Sequence, residues 1–278
     1  MFDLILNTAR QDERIRAVIL NGSRANPNAP KDIFQDYDIV YIVTDVASFK
    51  SDPHWIERFG ERVILQTPDD MGDEPANDGE SYGYLMLFAD GNRIDLTFYP
   101  QAKLGELERD SLSILLLDKD AVIAPFPPPD ESDYLPRPPT VKQYADCCNE
   151  FWWVCTYVVK GLWRGEITYA RYMLDNIVRA QLMKMLAWHI GVQTHFAHNP
   201  GYQGKYFPRY LEPELWEMLL KTYASADYEQ SWEAVFAMCR LFRTVAISVA
   251  EYFDFDYTQG DDDRVSAYLL QVRSLSRS

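Results

Sequence analysis

Long apolar runs are missing from this 278-residue chain. No stretch approaches the ~20 apolar residues that span a bilayer, so a membrane-embedded protein is not expected. Positive charge is also scarce. Lys and Arg number 27 against 42 Asp and Glu, a formal net of −15. A nucleic-acid backbone is held by clustered Lys and Arg, so nucleic acid is not an expected partner. Cysteines are few, and the four present form no spaced metal motif. Cys147, Cys148 and Cys155 fall in one helical-looking segment and read as buried free thiols of a reducing compartment. The opening residues MFDLILNTARQDER carry no basic n-region and no small-residue cleavage site, and so do not read as a secretory signal. These absences together predict a cytoplasmic protein.

What is present suffices for a large core. The chain is 47% hydrophobic and 14% aromatic, enough for two domains. Its charge is unevenly placed. Residues 1–135 hold 12 Lys and Arg against 26 Asp and Glu, whereas residues 136–278 hold 15 against 16. An acidic first half favours a cationic small substrate or bound metal ions, although acidity alone more often serves solubility.

The first half alternates. An amphipathic helix over 3–13 precedes a strand over 15–20 (IRAVIL), a turn over 23–30 punctuated by Pro27 and Pro30, and a strand over 37–44 (YDIVYIVT). A helix over 53–59 is followed by an Asp-, Gly- and Pro-rich loop over 68–80, then by YGYLMLFAD and NRIDLTFYP, two strands hinged at Asp90-Gly91, a strong hairpin signal. This mixture predicts an α+β fold. The proline-rich stretch APFPPPDESDYLPRPPT (124–140) reads as an extended linker. It divides a first domain, 1–135, with a mixed β-sheet and flanking helices from a second, 136–278, built as an α-helical bundle. Helices are predicted over 141–163, 168–190, 213–223, 229–253 and 262–273.

Chemistry concentrates in the first domain. Asp36 and Asp38 stand one residue apart where the second strand begins, so they share a face with Cα atoms ~7 Å apart. At an effective dielectric of 20 they repel by about 2 kcal/mol, a cost with a use if a divalent cation sits between them. Mg²⁺ takes few carboxylates and leaves room for phosphate oxygens. Alone, an Asp-x-Asp is more often a solvated strand end. Two features change that balance. Gly22-Ser23 closes the preceding strand, where a glycine, a hydroxyl and backbone N–H groups suit a phosphate. In RIDLTF, Arg93, Asp95 and Thr97 alternate with Ile94, Leu96 and Phe98, so Asp95 offers a third carboxylate on a polar face.

Gly-Ser about a dozen residues before Asp-x-Asp, with a later strand Asp, resembles the nucleotidyltransferase superfamily related to DNA polymerase β. GSRAN (22–26), FQDYDI (34–39), YGYLMLFAD (82–90), IDLT (94–97), LLDKD (116–120), DCCNEFW (146–152) and VVKGL (158–162) narrow the likeness to the aminoglycoside 6-adenylyltransferases, the streptomycin-modifying family. It runs from the first helix to near the last.

That resemblance implies transfer of AMP from MgATP to a hydroxyl of an aminocyclitol antibiotic, a cationic acceptor, with release of pyrophosphate. It implies that Gly22, Ser23 and Arg24 hold phosphates, that Asp36 and Asp38 bind Mg²⁺, and that Asp95 is a metal ligand, general base or both. From the helical half, Lys160, Lys205 and Arg209 are expected at the triphosphate. Glu150, among Phe151, Trp152 and Trp153, is expected at a guanidinium or ammonium group of the acceptor. The chain departs from the family in two places. Tyr172-Met173 stands where an Asp-His pair is usual, and Tyr202 where a lysine is usual, which bears on the acceptor rather than the nucleotide. Two other readings keep part of this: the same transfer to another small-molecule or protein acceptor, and a nucleotide-binding module without turnover.

Overall fold

The computed structural model describes residues 1–72 and 81–276. They fall into two compact units, Met1–Asp133 and Tyr134–Ser278.

In the first unit, helix α1 (Phe2–Gln11) buries Ile5, Leu6 and Ala9 and leads into strand β1 (Ile15–Asn21). A single 3₁₀ turn, Gly22–Arg24, follows directly. Strand β2 (Tyr37–Val43), a short helix α2 (Ala47–Lys50) and a 3₁₀ segment over Pro53–Phe59 come next. Strands β3 (Arg62–Gln66), β4 (Tyr82–Phe88), β5 (Arg93–Pro100) and β6 (Ile114–Asp118) complete a sheet of order β3-β4-β5-β2-β1-β6. The hairpin expected at Asp90-Gly91 joins β4 to β5, with Gly91 at φ 85°, a value glycine adopts without steric cost. β2 and β5 pair in parallel, while the other neighbours are antiparallel.

Alternation along the strands makes the two faces unlike. One carries the main core, with Tyr41, Tyr84, Met86 and Phe98 packed under α1, Phe49 and Trp55. Phe49 stacks on Phe98 at 4.3 Å, and the Tyr41 hydroxyl donates to the Ile5 carbonyl. The opposite face has only a small cluster of Ala17, Ile19 and Ile42. Asp38 shares that face with Ile42, and Asp95 with Tyr99, so the carboxylates stand on the thinly covered side.

Two strands go beyond the elements expected from the sequence. In β3, Val63, Ile64 and Leu65 are all exposed on an edge strand and show no period-two pattern. β6, ILLLD, is uniformly half-buried and likewise lacks alternation. Of the acidic loop over 68–80, Pro68–Asp70 forms a 3₁₀ turn, and residues 73–80 lie outside the described residues.

Among the described residues of the second unit every regular element is helical: α3 (Val141–Arg164), α4 (Ile167–Tyr172), a π segment over Met173–Val178, α5 (Arg179–Gln193), α6 (Phe207–Tyr210), α7 (Pro213–Leu220), α8 (Tyr228–Phe253) and α9 (Gln259–Ser274). α3 begins with a capping box in which Thr140 and Gln143 exchange hydrogen bonds, and it ends at Gly165 in the left-handed conformation. Its Phe151 stacks on Phe242 of α8 at 3.7 Å. All four cysteines are free and buried. The single helix expected over 168–190 is broken by the π turn, which opens at Met173 beside the unusual Tyr172. No helix among the described residues is long and apolar enough to cross a membrane.

Candidate active site

Three strands bring the acidic residues together. Asp38 lies opposite Asn21 of β1 and in register with Asp95 of β5. Parallel neighbours are ~4.8 Å apart, so Asp38 and Asp95 are side by side on one face, with Asp36 immediately before β2. The turn after β1 closes over this end of the sheet. A Cβ added to Gly22 would lie 2.2 Å from Asp38 Oδ2, and Gly22 has φ 71°. The glycine thus admits a carboxylate from the next strand as well as leaving its backbone accessible to a ligand.

The electrostatics show how much negative charge is concentrated here. Burial, then the neighbouring Asp95 and Asp36 charges, push the Asp38 carboxyl up to about 6. Asp36 is also raised, chiefly by burial, with Arg93 opposing and Asp95 adding to the shift. Two cations lie nearby. Arg24 braces the loop: its Nε donates to the Asp36 carbonyl at 3.0 Å, one terminal nitrogen donates to the Gln35 carbonyl at 2.7 Å, and its guanidinium lies 3.6 Å from the centre of the Tyr37 ring. Gln35 Nε2 in turn donates to the Ser23 carbonyl at 3.1 Å, tying the turn to the acidic loop. Arg93 is the other. It forms a two-pronged pair with Asp95, Nε and a terminal nitrogen each donating at 2.7 Å, and its remaining nitrogen is 3.6 Å from Asp36.

Among the described residues no group of three or more His, Cys, Asp or Glu is already drawn together to cage a metal ion. The donor set nevertheless fits magnesium. Its atoms are hard carboxylate oxygens, few in number, and the raised Asp38 carboxyl marks a place short of positive charge.

Ser23 and Arg24, both expected at the phosphates, lie in the turn after β1, with the Arg24 guanidinium donating to the carbonyls of Gln35 and Asp36. In the second unit Lys205 and Arg209 both lie against Tyr206, 5.1 and 4.2 Å from its ring centre. Lys160 stands apart on α3, half-buried against Tyr157. Glu150 stands outside the aromatic cluster that flanks it in sequence. Phe151 and Trp152 are buried in the core, but Glu150 points to solvent because successive helical residues turn by ~100°. It lines a groove of about 450 Å³ between α3 and α5 with Gln143, Asp146, Gln181, Lys184 and Trp188. Sequence reasoning passed over Arg93 as a site residue, although its place two residues before Asp95 put both on one face.

Residues 1–272 match the family model described as streptomycin adenylyltransferase. An aminoglycoside 6-adenylyltransferase of Bacillus subtilis (strain 168) is 44% identical over 264 residues, 94% of this chain and 93% of that protein. One from Campylobacter jejuni is 44% identical over 274 residues, covering 98% and 94%, and one from Staphylococcus aureus is 34% identical over 259 residues, covering 92% of each. The crystal structure of an aminoglycoside 6-adenyltransferase from Bacillus subtilis matches 99% of this chain and 98% of its own, with 38% identity and a TM-score of 0.50.

Proposed function

Since the chain belongs to the streptomycin adenylyltransferase family and is a nucleotidyltransferase, we propose that it transfers AMP from ATP to a hydroxyl of an aminoglycoside such as streptomycin, releasing pyrophosphate. The observation that carries this reading is the in-register pair Asp38 and Asp95, flanked by Asp36 and roofed by Gly22-Ser23. The three carboxylates crowd like charge on one sheet face, where burial and mutual repulsion push Asp38 and Asp36 up.

In this reading Asp36, Asp38 and Asp95 hold Mg²⁺, which when bound neutralises phosphate charge and orients the triphosphate. The Ser23 hydroxyl and the turn's backbone N–H groups bind phosphate oxygens. The acceptor oxygen attacks the α-phosphorus in line, the bond to the bridging oxygen breaks, and pyrophosphate leaves with that electron pair. The hydroxyl proton passes to a carboxylate of the cluster, Asp95 being the one on the later strand, at ~3 Å or through one water. Positioning and electrostatics supply most of the acceleration. Lys160, Lys205 and Arg209 are assigned to the triphosphate and Glu150 to a cationic group of the acceptor. In domain terms, residues 1–135 carry the transfer and residues 136–278 serve the nucleotide and acceptor.

The test is pyrophosphate release with ATP and with GTP across a panel of aminoglycosides that includes streptomycin. ATP-dependent release with streptomycin, lost in Asp38→Asn, supports the proposal. Release with none of the panel would move the acceptor to another metabolite or a protein, the reading that Tyr172-Met173 at the mouth of the π segment favours. Normal turnover in Asp38→Asn would sink the transfer chemistry itself.

A further inference from the structure

Among the described residues Arg93 is the one guanidinium bound directly to the acidic cluster through side chains. Its two hydrogen bonds of 2.7 Å occupy both oxygens of Asp95, and a third nitrogen is 3.6 Å from Asp36. The planar fork matches a carboxylate and a phosphate equally well. The Arg93 side chain is 43% exposed, so it is not packed into the core and is free to change partner. Core anchoring of β5 comes instead from Ile94, Leu96 and Phe98, all buried. A strand that needs no help from Arg93 therefore carries it at the spot where a divalent cation would have to compete.

We infer that Arg93 is an exchangeable counter-ion of the metal site, which holds Asp95 aligned without a cation and yields it only when a cation arrives with phosphate groups. This rests on the nucleotidyl-transfer reading of Asp36, Asp38 and Asp95. A free cation must displace the guanidinium from Asp95 with only Asp36, itself a metal ligand in this reading, beside it. A cation–triphosphate complex brings phosphate oxygens that take the guanidinium over. Arg93 is thus a positioning residue that makes the site discriminate a metal–nucleotide complex from the metal alone, because the apparent affinity for a ligand falls with the fraction of sites competent to take it.

The experiment titrates Mn²⁺, followed by the electron paramagnetic resonance of the free ion, into the full chain, with and without a non-hydrolysable ATP analogue. Arg93→Met is expected to bind Mn²⁺ alone about tenfold more tightly than the parent, with no gain when the analogue is present. The gain should vanish in Arg93→Met/Asp95→Asn, whereas a mere change in surface charge would persist there. Arg93→Gln serves as a second variant should the first fail to fold. An unchanged or weakened Mn²⁺ affinity in both variants, or the same gain with and without the analogue, overturns the proposal. Loss of binding in Asp38→Asn alongside either result leaves the metal reading standing. If Asp38→Asn binds Mn²⁺ as the parent does, the metal reading fails, and the role of Arg93 with it.

Discussion

Gly22 has room for a hydrogen and nothing larger. Asp38 Oδ2 occupies the place of a Cβ, 2.2 Å away, and the backbone φ of 71° disfavours any side chain. Gly22→Ala should cost about 1–3 kcal/mol in a urea melt and, by shifting Asp38, lower turnover about a hundredfold. Asp38 itself illustrates a site held at the expense of stability. Its folded value of about 6 exceeds the ~3.9 of an unfolded aspartate, so between those values the folded state binds more protons. Stability then falls as pH rises through that window, and the penalty is complete above pH ~6. In metal-free buffer Asp38→Asn should therefore be more stable than the parent at pH ~7, by about 1–2 kcal/mol once solvent screening is allowed for. The advantage should close by pH ~4. Thermal melts across pH check this, and a gap that widens on acidification would contradict the charge assignment.

Of the ion pairs between α8 and α9, the one from Arg243 has a fully buried carboxylate. Asp262, fully buried, accepts two hydrogen bonds from Arg243 and others from Tyr257 (2.7 Å) and Ser266 (2.9 Å). Burial works against its charge, but these donors outweigh it and hold the carboxyl below its ordinary value. Asp262→Ala should cost about 3–5 kcal/mol in chemical denaturation, because it strands a guanidinium and two hydroxyls. No periodicity announces that pair, since Asp262 sits within a run of three aspartates at 261–263 that reads as a solvated first turn. Much else at this scale was legible. β1, β2 and the β4–β5 hairpin have clear period-two patterns and turn chemistry, and the proline-rich stretch stops regular structure. β3 and β6 were not legible because neither alternates. The π segment escaped notice because apolar spacing of three and four persists through it. In the site, the common face of Arg93 and Asp95 could be read from alternation, while the ion pair between them depends on rotamers that a sequence does not display. The exposure of Glu150 beside the buried Phe151 and Trp152 shows that adjacency in sequence is not adjacency on a helix.

For the molecule as a whole the telling quantity is where the charge lies. The first unit carries nearly all of the net charge, 12 Lys and Arg against 26 Asp and Glu over residues 1–135, while the remainder is almost neutral at 15 against 16. An acidic field around the unit that holds the three carboxylates attracts a polycationic aminoglycoside and repels a polyanionic nucleotide. The two proposed substrates, streptomycin and MgATP, should therefore answer to salt in opposite senses. Between ~0.05 and ~0.5 M ionic strength the Debye length shrinks from ~14 to ~4 Å. Over that range kcat/KM for streptomycin should drop several-fold, mostly through KM, while the KM for MgATP stays level or falls. Initial rates of pyrophosphate release, with one substrate saturating and the other varied, separate the two responses. Parallel weakening of both would mean that salt acts on the fold or the chemistry rather than on encounter. A flat profile for streptomycin would assign the acidity of the first unit to solubility alone.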